Sequence, residues 1–516
     1  MLAAALSGVV LFLLSVAATL GWEVTPRAIL NWAGICGTLL ALTSLGRSSA
    51  TMGEAFVYSQ SVRKFFLFLV LIFIAVNFSR TLSLGFLSDD FIQTQYANTM
   101  SWADLMNLFN HSTAGVFFRP LEYIFLRFVG LWAGFDPVRW HAVNLVLHLA
   151  NCVLVFFIVS RLRIGFWTPA IATLLFGVHG SRPEAVAWAN GRLGLLAGLL
   201  VLAALLMYIQ YCERRRRAYL FGSLLFFSAA LLTKESAYAF PLLLLLIAGF
   251  RKEPAFRIPK IHLLYWLPAL IFFAYRWILL GGIGGYISQD SSSFQGLVLD
   301  AIKVLLWRIW AVLYFPINWS ISVPSYLLIS LAAYILALIW MSIATSGRRA
   351  AVLSLVFTAL ASLPALSLLL IGPSMEGSRL LYIPVLGFSI WLGVSIEGMR
   401  KNWIRIVIFL AIIGFHSIAL AHNLASWQRI STLAEQVCME AASSNHDSRS
   451  IVAVGLPRSI DGVLFLGNGF AECVQMYSKT SLDSIETISR TDQVPSEQDS
   501  VVLVWNKSKR QLERVR

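Results

Sequence analysis

Apolar residues run for about 20 positions at a time along most of this chain, and the runs close on Arg/Lys clusters or on short polar turns. A helix of that length reaches about 30 Å, enough to cross the hydrocarbon core of a bilayer. The pattern predicts membrane helices over 2–22, 28–45, 65–82, 140–159, 166–179, 193–212, 219–233, 236–250, 262–280, 325–345, 351–371, 380–397 and 403–422. Segment 2–22 has no basic stretch ahead of it and is followed by another apolar helix, so it reads as a membrane helix rather than a secretory signal. A transmembrane barrel does not fit, because its strands alternate apolar and polar residues, whereas 193–208 is continuously apolar. Segment 302–315 is apolar enough to span, yet counting it would carry Arg348 and Arg349 to the opposite side. It reads as a lateral or re-entrant helix, the alternative being a true span paired with a second one nearby.

From 424 onward the pattern changes to polar and charged residues interrupted by short apolar stretches at 450–455, 462–466 and 501–505, which predict strands. The expected architecture is an all-α polytopic membrane domain over 1–423, with about 13 spans, followed by a small extracytoplasmic α/β domain over 424–516. The longest connection in the membrane part is the first outer loop, 83–139, and its Trp102, Phe109, Phe117, Phe118 and Trp132 suit interfacial helices.

Composition agrees with a membrane protein: of 516 residues, 58% are hydrophobic and 13% charged, with a mean hydropathy of +0.74. A water-soluble fold is excluded. The formal net charge of +14 raises the question of a nucleic-acid partner, but the basic residues sit in short loops between spans, as in Arg214 to Arg217, Arg251-Lys252, Arg348-Arg349 and Arg400-Lys401. That is the positive-inside pattern, which puts these loops in the cytoplasm and predicts no nucleic acid. Cys36, Cys152 and Cys212 lie in or beside spans as packing residues, whereas Cys438 and Cys473 share the outer tail, where a disulfide is permitted but not required by spacing. No Cys/His cluster has zinc-site spacing and no phosphate-cradling Walker loop is present.

Ionisable residues at membrane depth or in tight outer turns are costly, which makes them functional candidates. Those of this chain gather on the outer side: Asp89 and Asp90 after the third span; His179, Arg182, Glu184 and Arg192 around one short turn; Lys234-Glu235 at a hairpin with almost no loop; and Glu376 and Arg379 before another span. Each has a plainer reading. Asp89-Asp90 could cap a helix, Arg182 and Arg192 could anchor at the interface, and Lys234-Glu235 could be a solvated turn. The stripe His141, Asn144, His148 and Asn151 suits interhelical hydrogen bonding better than metal binding. Together, paired carboxylates beside cations suit group transfer with an anionic leaving group: one Asp accepts a proton from a hydroxyl while Arg and Lys hold a departing phosphate. Nucleotide sugars are confined to the cytoplasm of a typical cell, so an outer site implies a lipid-linked donor.

The chain resembles the GT-C glycosyltransferases, and within them the O-mannosyltransferases that join a multi-span membrane domain to tetratricopeptide repeats. The resemblance rests on Ser88-Asp-Asp90, Phe118-Arg-Pro-Leu121, the segment from His141 to Asn151, His179-x4-Glu-Ala-Val-x4-Gly-Arg192, Lys234-Glu235, Ser378-Arg-Leu-Leu-Tyr-Ile-Pro384 and Asn423-Leu-Ala-Ser-Trp-Gln-Arg429. It departs at Gly180, where a proline is usual, at Leu193-Gly194, where an acidic residue is usual, and in having no repeats after the membrane domain. A prokaryotic relative with a short outer domain is the expected kind, in the cytoplasmic membrane with its site facing outward. The resemblance implies a GT-C fold and an inverting transfer from a polyprenyl-phosphate-linked sugar to a hydroxyl of a protein, lipid or surface glycan. It implies Asp89 as catalytic base, with Asp90 orienting it or touching the acceptor. Arg119, His179, Arg182, Glu184, Arg192, Lys234, Glu235, Arg379 and Tyr382 become candidates for the donor phosphate and sugar pocket. No metal ligand is assigned and no cofactor is required, although two carboxylates could hold a divalent cation. The competing classes are a transporter or lipid-linked glycan flippase, which calls for polar residues on both halves of a path or inverted repeats, and an O-antigen ligase or polymerase type of enzyme using a pyrophosphate-linked glycan.

Overall fold

The computed structural model describes residues 52–112, 116–251, 259–282, 302–344, 348–368, 371–443, 450–478, 484–488 and 500–515. The spans expected at 2–22 and 28–45, and Cys36 with them, lie outside these residues. Within them, six helices are long and apolar enough to cross a membrane, and shorter apolar helices fill the remaining expected positions. The chain is thus a mostly helical polytopic membrane protein with a small sheet at its C-terminal end.

In chain order the helices begin with α1 (Met52–Phe78), followed by α2 (Asp89–Thr99), α3 (Trp102–Asn107) and α4 (Pro120–Ala133), which belong to the long outer loop. Helices α5 (Pro137–Leu162), α6 (Thr168–Val178), α7 (Arg192–Arg214), α8 (Arg217–Leu231) and α9 (Phe240–Phe250) follow. Next come α10 (Pro259–Leu280), the short α11 (Ile309–Tyr314), α12 (Ser325–Ala344), α13 (Arg348–Ser362), α14 (Pro384–Glu397) and the 42-residue α15 (Asn402–Ser443). Segment 302–315 forms a π turn, Val304–Arg308, continued by α11. At 1.5 Å per residue that segment is too short to cross a bilayer. The stretch from Leu313 to Asn318 meets His179 and Asn423.

Several polar side chains inside the bundle find partners, which offsets the cost of an unpaired donor in an apolar medium. His148 bonds the Tyr382 hydroxyl (2.8 Å) and the Gly177 carbonyl (3.0 Å), while Asn144 and Asn151 donate to the carbonyls of Trp188 and Leu195. Three residues of the expected stripe, Asn144, His148 and Asn151, thus tie segments of the bundle together. At the opposite end, Glu213 bridges Arg161 and Arg251, and the Glu397 carboxylate accepts the backbone N–H groups of Phe166, Trp167 and Thr168 at the start of α6. That arrangement satisfies the donors that a helix leaves open at its N-terminus.

The C-terminal part of the chain forms a four-stranded sheet in the order β4-β1-β5-β6. Strand β1 (Ser450–Val454) runs parallel to both β4 (Ser484–Ile488) and β5 (Ser500–Asn506), with Ser450 opposite Ser484 and Ser500, and β6 (Gln511–Arg514) closes one edge antiparallel. The stretch expected as a strand at 462–466 contributes only β3 (Val463–Leu464), paired with β2 (Ser459–Ile460) in a two-residue hairpin. Helix α16 (Phe470–Tyr477) packs on α15, and Cys438 and Cys473 form the disulfide that the sequence left open.

Candidate functional site

Where the outer loop folds back on the bundle there is a cavity of about 510 Å³. Asp89 contributes from the start of α2 and Arg119 from just before α4. Lys234 and Glu235 come from the α8–α9 hairpin, Arg276 from α10, and Arg379 from the turn before α14. The backbone joins two of these parts directly: Leu121 N–H, in the first turn of α4, donates to the Leu232 carbonyl just before the hairpin (3.2 Å). The opposite wall is apolar, with Leu242, Trp266, Leu270, Phe273 and Leu363. Leu270 and Phe273 of this wall are among the exposed large apolar residues of α10.

The charges are ordered by one another. Glu235 accepts from Arg119 Nη2 (2.8 Å) on one side and from Arg276 Nη1 (2.5 Å) on the other. Glu184, behind the cavity wall, accepts the Arg379 N–H (2.9 Å) and its guanidinium, so the hairpin acid and the turn acid each fix arginines in place. Arg119 also stacks on Phe117 and Arg379 on Trp188, which leaves both guanidiniums little freedom. Lys234 stands in the hairpin between Arg119 and Arg379. Burial, then those two guanidiniums, lower its pKa to about 7 against the opposing pull of Glu235 and Glu184. Four basic side chains against two carboxylates give the cavity lining an excess of basic groups.

The two aspartates are placed differently. Asp89 lines the cavity, half-buried, and its Oδ1 accepts from Asn468 Nδ2 (3.0 Å). Asp90 is 1% exposed and points away, its Oδ2 accepting from Leu87 N–H (3.0 Å) and its Oδ1 from Asn190 N–H (2.7 Å). It therefore pins α2 to the loop carrying Trp188 and Asn190 and leaves Asp89 as the carboxylate facing the space. Ser88, just ahead, takes φ 49°, a conformation that costs a residue with a side chain roughly 1–3 kcal/mol unless its surroundings impose it.

Burial raises the Asp90 pKa to about 7, partly opposed by its backbone hydrogen bonds and Arg192. Folded Asp90 thus keeps its proton up to about pH 7, whereas in the unfolded chain it loses it near pH 4. Its contribution to stability is complete below about pH 4 and is lost as the pH rises through about 7, a change on the order of a few kcal/mol. Melting followed by tryptophan fluorescence should show a decline in the wild-type midpoint across that window, and the Asp90→Asn variant should lack that component. Equal slopes in the two proteins would show that Asp90 does not titrate there.

Of the residues expected in a donor pocket, Arg119, Lys234, Glu235 and Arg379 line the cavity with Asp89. The others are packed around it. His179 bonds Ser181 and the Leu313 carbonyl, Arg182 lies between the Phe176 and Tyr382 rings, and Tyr382 bonds His148. Arg192 pairs with the buried Glu122 (3.4 Å), and Glu184 acts through Arg379. The sequence reading missed Arg276, Trp188 and Asn190. Arg276 had a signal: an arginine within the apolar run 262–280 is what the cost of intramembrane charge flags. Among the described residues, no group of three or more His, Cys, Asp or Glu side chains is gathered as a metal ion would require.

No family model matches the chain. It is similar to Protein O-mannosyl-transferase tmtc2 of Xenopus laevis, 38% identical over 109 residues, which are 21% of this chain and 13% of that protein. Human Protein O-mannosyl-transferase TMTC2 is 36% identical over 110 residues, again 21% and 13%, and Drosophila melanogaster Tmtc1 is 34% identical over 119 residues, 23% and 14%. The match thus spans about an eighth of the length of these relatives, and over that stretch the resemblance expected from the motifs holds. Among solved structures, the Archaeoglobus fulgidus oligosaccharyltransferase tethered to an acceptor peptide covers 84% of this chain with 64% of its own, at 10% identity and a TM-score of 0.41.

Proposed function

We propose that this protein is a membrane glycosyltransferase that moves a sugar from a polyprenyl-phosphate carrier to a hydroxyl on the extracytoplasmic face of a prokaryotic cytoplasmic membrane. The observation that carries the reading is one cavity in which Asp89 stands beside Arg119, Lys234 and Arg379, while the second lining carboxylate, Glu235, is held between Arg119 and Arg276, with an apolar wall opposite. A phosphate fits the cations and a polyprenyl tail fits the wall formed by Trp266, Leu270 and Phe273. The names of the similar proteins favour mannose as the sugar and a protein hydroxyl as acceptor.

In the reaction, Asp89 takes the proton of the acceptor hydroxyl as its oxygen attacks the anomeric carbon. The new C–O bond forms on the face opposite the carrier, inverting the centre, while the bond to phosphate oxygen breaks and its electron pair stays on the carrier phosphate. The cations stabilise that charge as it grows, with no proton needed on the leaving group. Glu235 and Glu184 keep the arginines oriented, and Asp90 holds the loop that presents Asp89.

The test is transfer from radiolabelled polyprenyl-phosphate hexose and polyprenyl-pyrophosphate hexose to a Ser/Thr-rich peptide by protein reconstituted in vesicles. Label on the peptide from the monophosphate donor is expected. Label from the diphosphate alone would assign the protein to the ligase or polymerase type of chemistry. Movement of labelled lipid across the bilayer with no transfer would make it a flippase.

A further inference from the structure

The outer domain reaches the candidate base. We infer that Asn468 is a positioning residue for the Asp89 carboxylate, supplied to the membrane domain by the C-terminal domain so that this domain completes the site; this rests on the reading of Asp89 as the base. The contact is Asn468 Nδ2 to Asp89 Oδ1 at 3.0 Å, between residues 379 positions apart. It engages one carboxylate oxygen and leaves the other for the acceptor. A neutral amide can hold the carboxylate's rotation without the charge that a Lys or Arg would bring, which would weaken the base.

The surroundings show that this meeting is built rather than incidental. Asn468 lies in a turn flanked by Gly467 and Gly469. Gly469 has φ +77°, and a Cβ there would fall 2.3 Å from the Ser88 carbonyl oxygen, so only glycine lets the turn lie on the backbone that precedes Asp89. A second close approach holds the same domain: Gly462, φ +77°, lies against the Ser374 carbonyl, and Asn318 Nδ2 donates to the Asp461 carbonyl (2.7 Å). The Cys438–Cys473 disulfide fixes the helix that starts right after the turn. The Gly469 contact lies on the Ser88 backbone, which has the conformation that an unsupported serine would leave.

The experiment measures donor KM and kcat for three variants of the full chain in vesicles, with Asp89→Asn in parallel. Asn468→Ala is expected to lower kcat about tenfold with donor KM within about twofold of wild type. Asn468→Asp keeps the shape but sets a carboxylate against Asp89, and is expected to fall below the alanine variant. Gly469→Ala should reproduce the loss by pushing the turn off Ser88, with the disulfide still formed by gel-shift assay. Wild-type kcat in Asn468→Ala, or an aspartate variant as active as the alanine one, would overturn the inference, since a residue that only fills space tolerates the isosteric change. If Asp89→Asn is inactive while Asn468→Ala is normal, the positioning role alone fails. An active Asp89→Asn removes the base itself.

Discussion

Asp89→Asn is expected to reduce sugar transfer by about 10²- to 10⁴-fold, the range typical of a lost general base, while the protein still folds and inserts. The side chain keeps its shape, its carbonyl oxygen can still accept from Asn468, and the backbone hydrogen bonds that fix the loop belong to Asp90 and are untouched. What disappears is the capacity to accept the hydroxyl proton. Initial rates with the lipid-linked donor, alongside melting by tryptophan fluorescence, separate the two effects. A variant that melts like wild type and transfers sugar at nearly the wild-type rate would leave the reaction without its proposed base.

The second large effect concerns the donor. Lys234, with its pKa lowered to about 7 by burial and the neighbouring guanidiniums, should regain a firmly held proton once a phosphate sits beside it. Below about pH 7 the lysine is already charged and affinity is level. Above it, binding must take up a proton, so affinity should fall by up to about tenfold per pH unit until the pKa of the occupied state is reached. The sugar-linked donor is the proper ligand for this titration, because its phosphodiester does not change charge near neutrality. Lys234→Met should bind the donor about 10- to 100-fold more weakly at pH 6, the worth of a charged hydrogen bond, and lose the dependence on pH. Equal pH profiles for wild type and Lys234→Met would exclude the lysine from the phosphate site.

Much of the membrane architecture could be read from the chain because bilayer thickness imposes one length on every span. The apolar runs between 65 and 422 coincide with helices, including the short one within 302–315. The outer domain was harder. The strands β1 and β5 lie in the middle of the sheet and are apolar, so they were legible. Edge strands β4 and β6, with sequences Ser-Ile-Glu-Thr-Ile and Gln-Leu-Glu-Arg, carry little apolar signal, since an edge needs less burial. In the site, motif spacing found Asp89, Arg119, Lys234, Glu235 and Arg379 but could not tell a side chain facing the cavity from one facing the core. Arg182 and Arg192 look the same in sequence as Arg119. Only packing reveals that the first lies between two rings and the second against Glu122. Asn468 gave no local signal at all, because its significance comes from a contact with a residue far back in the chain.

The unbroken course of α15 from Asn402 to Ser443 sets the height and azimuth of everything beyond it. A rod of 42 residues is about 63 Å long, twice the thickness of the hydrocarbon, so its distal half is a stalk of fixed pitch. Adding one residue there would turn the attached sheet by about 100° and raise it by 1.5 Å. The amide of Asn468 would then swing away from its carboxylate although no atom near either had been altered. Helical phase along the stalk is therefore under the same constraint as the residues that line the cavity.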